Sequence, residues 1–307
     1  MRILGWGAAL PEKVVTNEDL EKTLDTSGEW IFERSGIRER RIGKLTAELA
    51  IAAGKNALDR AGIEPASVEL MILATTTPDQ TVPPTSAHVH HALGLSGGAF
   101  DLNAACSGFI YSLVMADRML RSGTSRVLVI GAETLSRITD WSDRNTAVLF
   151  GDGAGALLLE SSENEGQLLA YDLGLDGGAR GILYSDVGGK IQMEGREVFK
   201  RAVRAIVESA TRTLTAAKVR ADEIKLLVPH QANIRIIQAA CDRLEVPRER
   251  AALVLDRTGN TSSASIPLAL VDAIEQRPLD DGDLVLLVGF GAGMTWASAL
   301  VRWQSPE

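Results

Sequence analysis

The chain has 307 residues, 45% of them hydrophobic and 23% charged, which is ordinary globular composition, long enough for one large core or two fused smaller ones, and excludes a disordered polymer. Its net charge of -8 argues against nucleic-acid binding through the overall field, although a local basic patch can still serve an acidic ligand. Cys106 and Cys241 are too few for a disulfide framework and have no zinc spacing; no apolar run approaches the roughly 18 residues of a membrane span.

The opening segment, with one arginine, a short apolar stretch and an early Pro11, lacks the apolar core of a secretory signal, so a cytoplasmic protein with reduced thiols is expected. Apolar, β-branched strands then alternate with helical patterns along the whole length without a linker, predicting a layered α/β architecture. His88 and His91 share a helix face near His90, but no acidic or thiol ligand accompanies them and no metal site is expected. Cys106 follows small residues and precedes Phe109, Leu113, Ala116 and Leu120 at helical spacing, which places it at a helix start with Asn103 or a neighbour as cap. Helix-start amides and the dipole would lower its pKa and favour a nucleophilic thiolate; a buried free thiol is the alternative.

Two glycine-rich stretches, Phe150 to Glu160 and Gly289 to Trp303, run into strand patterns instead of helices, which argues against dinucleotide binding. The second can aim backbone N–H groups at an oxyanion. Between them, Arg196, Lys200 and Arg204 recur every fourth residue of a predicted helix, as a solvated face or as a docking stripe for an acidic partner. His230 stands where the apolar run Ile224 to Val228 ends after Pro229, a strand-end location where α/β folds place reactive groups. Cys241 lies mid-helix among Ile236, Ile237, Ala240 and Leu244, a core position. Asn260 precedes a helix patterned on Ile266, Leu270 and Ile274, and either caps it or reacts.

The chain looks duplicated. Ala57 to Asp79 is echoed by Thr213 to Asn233, with Val68 matching Ile224 at an offset of 156, and Gly131 matches Gly289 at an offset of 158. The first offset carries Cys106 onto Ser262, so the turn bearing Asn260 corresponds to the turn bearing Cys106. Halves spanning 1–165 and 166–307 would bring Cys106 and Asn260 near a common pseudo-twofold axis.

The ordered segments "EWIFERSGIRERRI", "LNAACSGF", "DRNTAVLFGDGAGA", "PHQANIRII", "GNTSSASIPLAL" and "GFGAGMTWASALVRW" resemble the β-ketoacyl-acyl carrier protein synthase III family of the thiolase-like superfamily, nearly end to end. The resemblance implies a five-layer α/β/α/β/α fold of two duplicated halves, a homodimer, and no permanently bound cofactor. It implies decarboxylative condensation of an acyl-coenzyme A primer with malonyl-acyl carrier protein through an acyl-cysteine, initiating fatty acid synthesis. Cys106, His230 and Asn260 would then be catalytic, with the amides of Cys106 and Ala292 as oxyanion donors. Trp30, Arg34, Arg144, Met193 and Gly195 match coenzyme A contacts; Lys200, Gln231, Ala232, Asn233, Ile234 and Arg235 match carrier-protein contacts; Phe199 and Phe290 shape the acyl pocket. Val82 stands near where acetyl-preferring relatives carry a bulky aromatic that closes the pocket across the dimer, and Arg196 replaces an asparagine common in them. A smaller residue at Val82 implies room for longer or branched primers.

Competing readings are an acyl transferase or condensing enzyme of secondary metabolism, a Cys-His-Asn thiol hydrolase, and a non-catalytic binding subunit. Retention of both His230 and Asn260 favours decarboxylation, because simple transfer needs no second enolate donor. The doubled chain order does not suit the hydrolase.

Overall fold

A computed structural model describes residues 1–162 and 167–305. The first sheet holds β1 (Arg2–Ala9), β2 (Leu70–Ala74), β3 (Gly98–Leu102), β4 (Arg126–Thr134) and β5 (Asp152–Glu160), in the spatial order β1-β5-β4-β2-β3. The second holds β6 (Leu168–Leu175), β7 (Ile224–Pro229), β8 (Leu284–Gly291) and β9 (Thr295–Arg302), in the order β7-β8-β9-β6. In each sheet a parallel pair, β2 with β4 or β7 with β8, is extended by antiparallel strands, β5 then β1 or β9 then β6. The counterpart of β3 shrinks in the second half to one parallel bridge between Leu227 and Ala251.

Among the described residues, seven longer helices complete the layers: α1 (Gly28–Ser35), α2 (Thr46–Ala61), α3 (Thr85–Leu93), α4 (Gly108–Arg121), α5 (Gly195–Ala217), α6 (Ile234–Leu244) and α7 (Ser265–Gln276). Helices α2 and α3 cover the outer face of the first sheet, α5 packs on the second sheet and against α6, and α4 and α7 touch both sheets. The sequence dictates which helices go inside. α7 reads "SIPLALVDAI", apolar around nearly its whole circumference, and every residue from Ser265 to Val271 is buried, whereas α5 keeps a charged outer face. Phe109, Ile110 and Leu113 of α4 share one core with Ile266, Ala269 and Leu270 of α7. The result is the five-layer α/β/α/β/α architecture of the thiolase-like fold.

The internal match holds, with its register sharpened. The short helical turns Ala105–Ser107 and Ser262–Ala264, which feed α4 and α7, are offset by 157, so Cys106 corresponds to Ser263 and not to Ser262. Between the 156 of the preceding strands and the 158 of the following ones, one residue has been added on each side of the turn. The expected boundary between residues 165 and 166 lies outside the described residues. No helix among the described residues is long and apolar enough to cross a membrane.

Candidate active site

Both turns are built the same way. Asn103 accepts a hydrogen bond from the Ala105 amide at 3.1 Å through Oδ1, and Asn260 accepts one from the Ser262 amide at 2.9 Å. Ala105 and Ser262 consequently take left-handed backbone, with φ of 49° and 48°, which costs a non-glycine residue roughly 1–2 kcal/mol and is sustained only by surrounding packing. Asn103 thus shapes the turn and does not cap α4, whose start has no side-chain cap.

The turns open into a cavity of about 520 Å3 that contains Cys106, His230 and Asn260, with a mostly apolar wall that includes Leu135, Ile138, Phe150 and Ile191. Burial pushes the Cys106 thiol up to about 12, a hydrogen bond with Ser262 opposes this, and the charge of Glu133 reinforces it. The helix start acts in the opposite sense, by at most about 2 kcal/mol or roughly one and a half pH units, on a half-buried side chain. Cys241 is fully buried on the core face of α6, and burial raises its thiol to about 11.

His230 follows β7, is 2% exposed, and burial depresses its imidazole to about 3, so the ring is neutral at physiological pH. Its Nδ1 lies 2.6 Å from the Ser265 hydroxyl, which also accepts from the Gln231 amide at 3.3 Å. In the tautomer whose Nδ1 accepts from this hydroxyl, Nε2 carries the ring N–H. Asn260 is held by a bridge to the neighbouring segment: its N–H donates to Leu149 O and its carbonyl accepts from the Gly151 amide. Because Oδ1 faces the Ser262 amide, the NH2 of Asn260 is left as donor. A neutral imidazole N–H and a carboxamide NH2 lining one cavity can stabilise negative oxygen without surrendering a proton to it.

Gly291 and Ala292 complete the wall beside Cys106. A Cβ on Gly291 would stand 2.6 Å from the Cys106 amide nitrogen, so only glycine leaves that amide accessible. Met193, Gly195, Phe199 and Phe290 all line the cavity, and the Phe290 ring packs at 6.2 Å from the His230 ring. Ala232 and Asn233 line it too, while Ile234 packs on Gly36 and Arg235 lies exposed over Phe199.

Outside the cavity lining, Trp30 meets two guanidinium groups, Arg34 and Arg144, each 5.2 Å from its ring. Lys200 faces a separate cleft of about 500 Å3 along α5, which shares only the Phe290 wall with the cavity. One expectation changes. Gln231 is fully buried, donating to Pro229 O and Ala252 O and accepting from the Val254 and Leu255 amides, so it braces the fold and offers no docking surface. Val82 is 82% exposed and does not line this chain's cavity.

Sequence reasoning missed Glu133, Ser262 and Ser265. The one available signal was an acidic residue closing the otherwise apolar strand "VLVIGAE".

The family model described as 3-oxoacyl-[acyl-carrier-protein] synthase III matches residues 100–177, and its C-terminal companion matches residues 214–303. A β-ketoacyl-[acyl-carrier-protein] synthase III from Roseiflexus sp. is 48% identical over 321 aligned residues, covering 98% of this chain and 98% of the relative. The crystal structure of 3-oxoacyl-[acyl-carrier-protein] synthase III from Aquifex aeolicus superposes with a TM-score of 0.96 at 46% identity, covering 98% of this chain and 99% of the other. The priming β-ketosynthase of the R1128 polyketide pathway superposes at 0.95 with 36% identity, covering 100% and 97%. With similarity running the length of the molecule and five of the six motifs lining one cavity, this chain belongs to the β-ketoacyl-acyl carrier protein synthase III family of condensing enzymes.

Proposed function

We propose that the protein condenses an acyl-coenzyme A primer with malonyl-acyl carrier protein, releasing coenzyme A and carbon dioxide and starting fatty acid synthesis. The observation that carries this reading is the convergence of Cys106, neutral His230 and Asn260 on one cavity. In the first stage Cys106 sulfur attacks the thioester carbon, the amides of Cys106 and Ala292 hold the oxyanion, and the thiol proton departs with coenzyme A. In the second stage the malonyl C–C bond breaks and its electron pair becomes an enolate. His230 Nε2–H and the Asn260 NH2 stabilise the enolate oxygen. The enolate carbon then attacks the acyl-cysteine, and the expelled Cys106 thiolate recovers a proton from solvent.

Trp30 with Arg144 and Arg34 forms a stacking surface for the adenine and phosphates of coenzyme A at the rim, and Met193 and Gly195 take the pantetheine side of the cavity. Arg235, Ala232, Asn233 and Ile234 at the mouth, with Lys200 on α5, form the approach for an acidic carrier protein. A homodimer is supported by the edge position of β3, where Phe100 is 39% exposed, and by the exposed Val82, which suits a side chain serving a partner's cavity. A cytoplasmic location, a division into halves near residue 165, and the absence of a resident cofactor belong to the same reading.

The test is a two-step mass-spectrometric assay. Incubation with acyl-coenzyme A adds an acyl group to Cys106, and malonyl-acyl carrier protein then discharges it with release of carbon dioxide. Absence of an adduct on Cys106 excludes the proposal. Adduct formation followed by transfer to an alcohol or amine, without carbon dioxide, selects the secondary-metabolism alternative.

A further inference from the structure

The motif that does not line the cavity, "EWIFERSGIRERRI", carries Trp30 and Arg34 at the rim and then runs on to Arg40, which none of the steps above uses. Arg40 is the largest fully buried side chain among the described residues. Its guanidinium donates only to neutral oxygens: Nη1 to Val15 O at 3.2 Å and Asn17 Oδ1 at 3.0 Å, and Nη2 to Val148 O at 2.8 Å. Burying a cation among neutral partners is unfavourable, and an apolar side chain would fill the same space without that penalty. What the planar fork supplies instead is a set of donors fixed in direction toward several chain segments at once.

Those segments lead to the site. Val15 is the partner of Arg40 in the antiparallel ribbon of Lys13–Thr16 and Glu39–Ile42. Asn17 extends the grip to α1, since its Nδ2 donates to Ile37 O at 2.8 Å and to Gly28 O at 3.3 Å. Val148 opens the segment whose Leu149 and Phe150 line the cavity, and this segment is what holds Asn260. The Asn260 N–H donates to Leu149 O at 2.8 Å, and its carbonyl accepts from the Gly151 amide at 3.0 Å.

The stem of Arg40 fits the same bridge. A Cβ added at Gly151 would stand 3.1 Å from the Arg40 Cβ, and one added at Gly259 would stand 3.2 Å from it, so the two glycines flanking the bridge make the notch in which the stem lies. The ribbon is hooked to the Asn260 side as well, because the Arg38 amide donates to Asp256 O at 2.8 Å. The Cys106 turn is held by other groups: Gly291 packs on it, and the Thr295 hydroxyl donates to Ala104 O at 3.0 Å.

Resting on the condensation reading above, we propose that Arg40 is a positioning residue for the second stage: its fork on Val148 and its stem between Gly151 and Gly259 lock the bridge that holds the Asn260 NH2 at the enolate site. Acylation of Cys106, on the other turn, does not depend on it.

The test compares Arg40→Lys, which keeps the charge and removes the fork, with Arg40→Met, which removes both. Hydrogen exchange read by mass spectrometry over residues 147–151 and 257–262 needs no substrate, so its outcome is separate from that of the acyl-adduct assay. Exchange at Gly151 and Asn260 is expected to quicken by about 10-fold or more in both variants, while residues 127–130 of β4 keep their protection. Discharge of the acyl-enzyme by malonyl-acyl carrier protein is expected to slow by about 10- to 100-fold, the effect of a misplaced donor, with Cys106 acylation within about threefold of wild type. Unchanged exchange at Gly151 and Asn260 in Arg40→Lys, quickening spread evenly over the molecule, or equal losses in acylation and discharge overturns the proposal. In the wild type these two amides should exchange as slowly as residues 127–130, and faster exchange there overturns it whether or not either variant folds.

Discussion

Ala105 and Ser262, 157 positions apart, hold the same left-handed backbone, each beside the residue that matters, Cys106 in one half and the Glu133-bound Ser263 in the other. The symmetry is in the backbone strain, and the asymmetry is in the side chains placed on it. One duplicated turn thereby yields a nucleophile facing the cavity and, across the pseudo-twofold, an asparagine donor aimed into the same space.

Close approach of backbone to backbone makes Gly291 a sharp test of the oxyanion assignment. Gly291→Ala places a Cβ 2.6 Å from the Cys106 amide nitrogen, a distance that forces the turn to move. Acylation by acyl-coenzyme A is expected to slow by about 100-fold, in the range set by loss of one oxyanion donor. Stopped-flow release of coenzyme A measures this, and an unaltered rate removes the Cys106 amide from the mechanism.

At the rim, Trp30 with Arg34 and Arg144 should contribute to coenzyme binding and not to chemistry. Trp30→Ala is expected to raise the KM for acyl-coenzyme A by about 5- to 30-fold, the equivalent of about 1–2 kcal/mol of stacking and cation–π contact, with kcat little changed. A truncated acyl thioester lacking the nucleotide should not distinguish wild type from variant. If it does, Trp30 serves the fold and not the nucleotide.

Burial of His230 predicts an acid-side loss of stability. Its folded pKa of about 3 lies below the ordinary imidazole value, so between about pH 6.5 and 3 the unfolded chain binds a proton that the folded chain refuses. This contribution is complete above that window and is lost as pH falls through it, with a slope of up to about 1.4 kcal/mol per pH unit. Urea unfolding from pH 7 to 4 should show His230→Gln losing stability less steeply than wild type; parallel slopes would mean that the imidazole titrates normally.

Gln231 and Arg235 are neighbours in sequence with opposite fates. Gln231→Ala strands two buried carbonyls and two buried amides and is expected to lower stability by about 2–4 kcal/mol. Arg235→Glu should leave stability within about 0.5 kcal/mol. It should weaken carrier-protein binding by about 10-fold at low salt, an effect that shrinks as salt rises. Thermal unfolding and carrier-protein titration separate the two, and a salt-independent Arg235 effect would contradict electrostatic docking.

The amino-acid sequence by itself determined the alternation of strands and helices, the doubling, and the candidates Cys106, His230 and Asn260, because periodicity, turn chemistry and repeated spacing are written in local order. It also marked both glycine-rich stretches as strand-bound, and they lead into β5 and β9. Only the tertiary structure decided the protonation of the site. The Cys106 environment depends on the depth of the cavity and on Glu133, a residue 27 positions away that local patterns do not connect to it. It likewise decided that Gln231 faces inward while Arg235 faces out, since residues four apart on a chain that bends at a strand end share neither face nor burial. Dehydration, long-range hydrogen bonding and the approach of one half to the other are properties of the packed molecule, and they turn a repeated pattern into one working site.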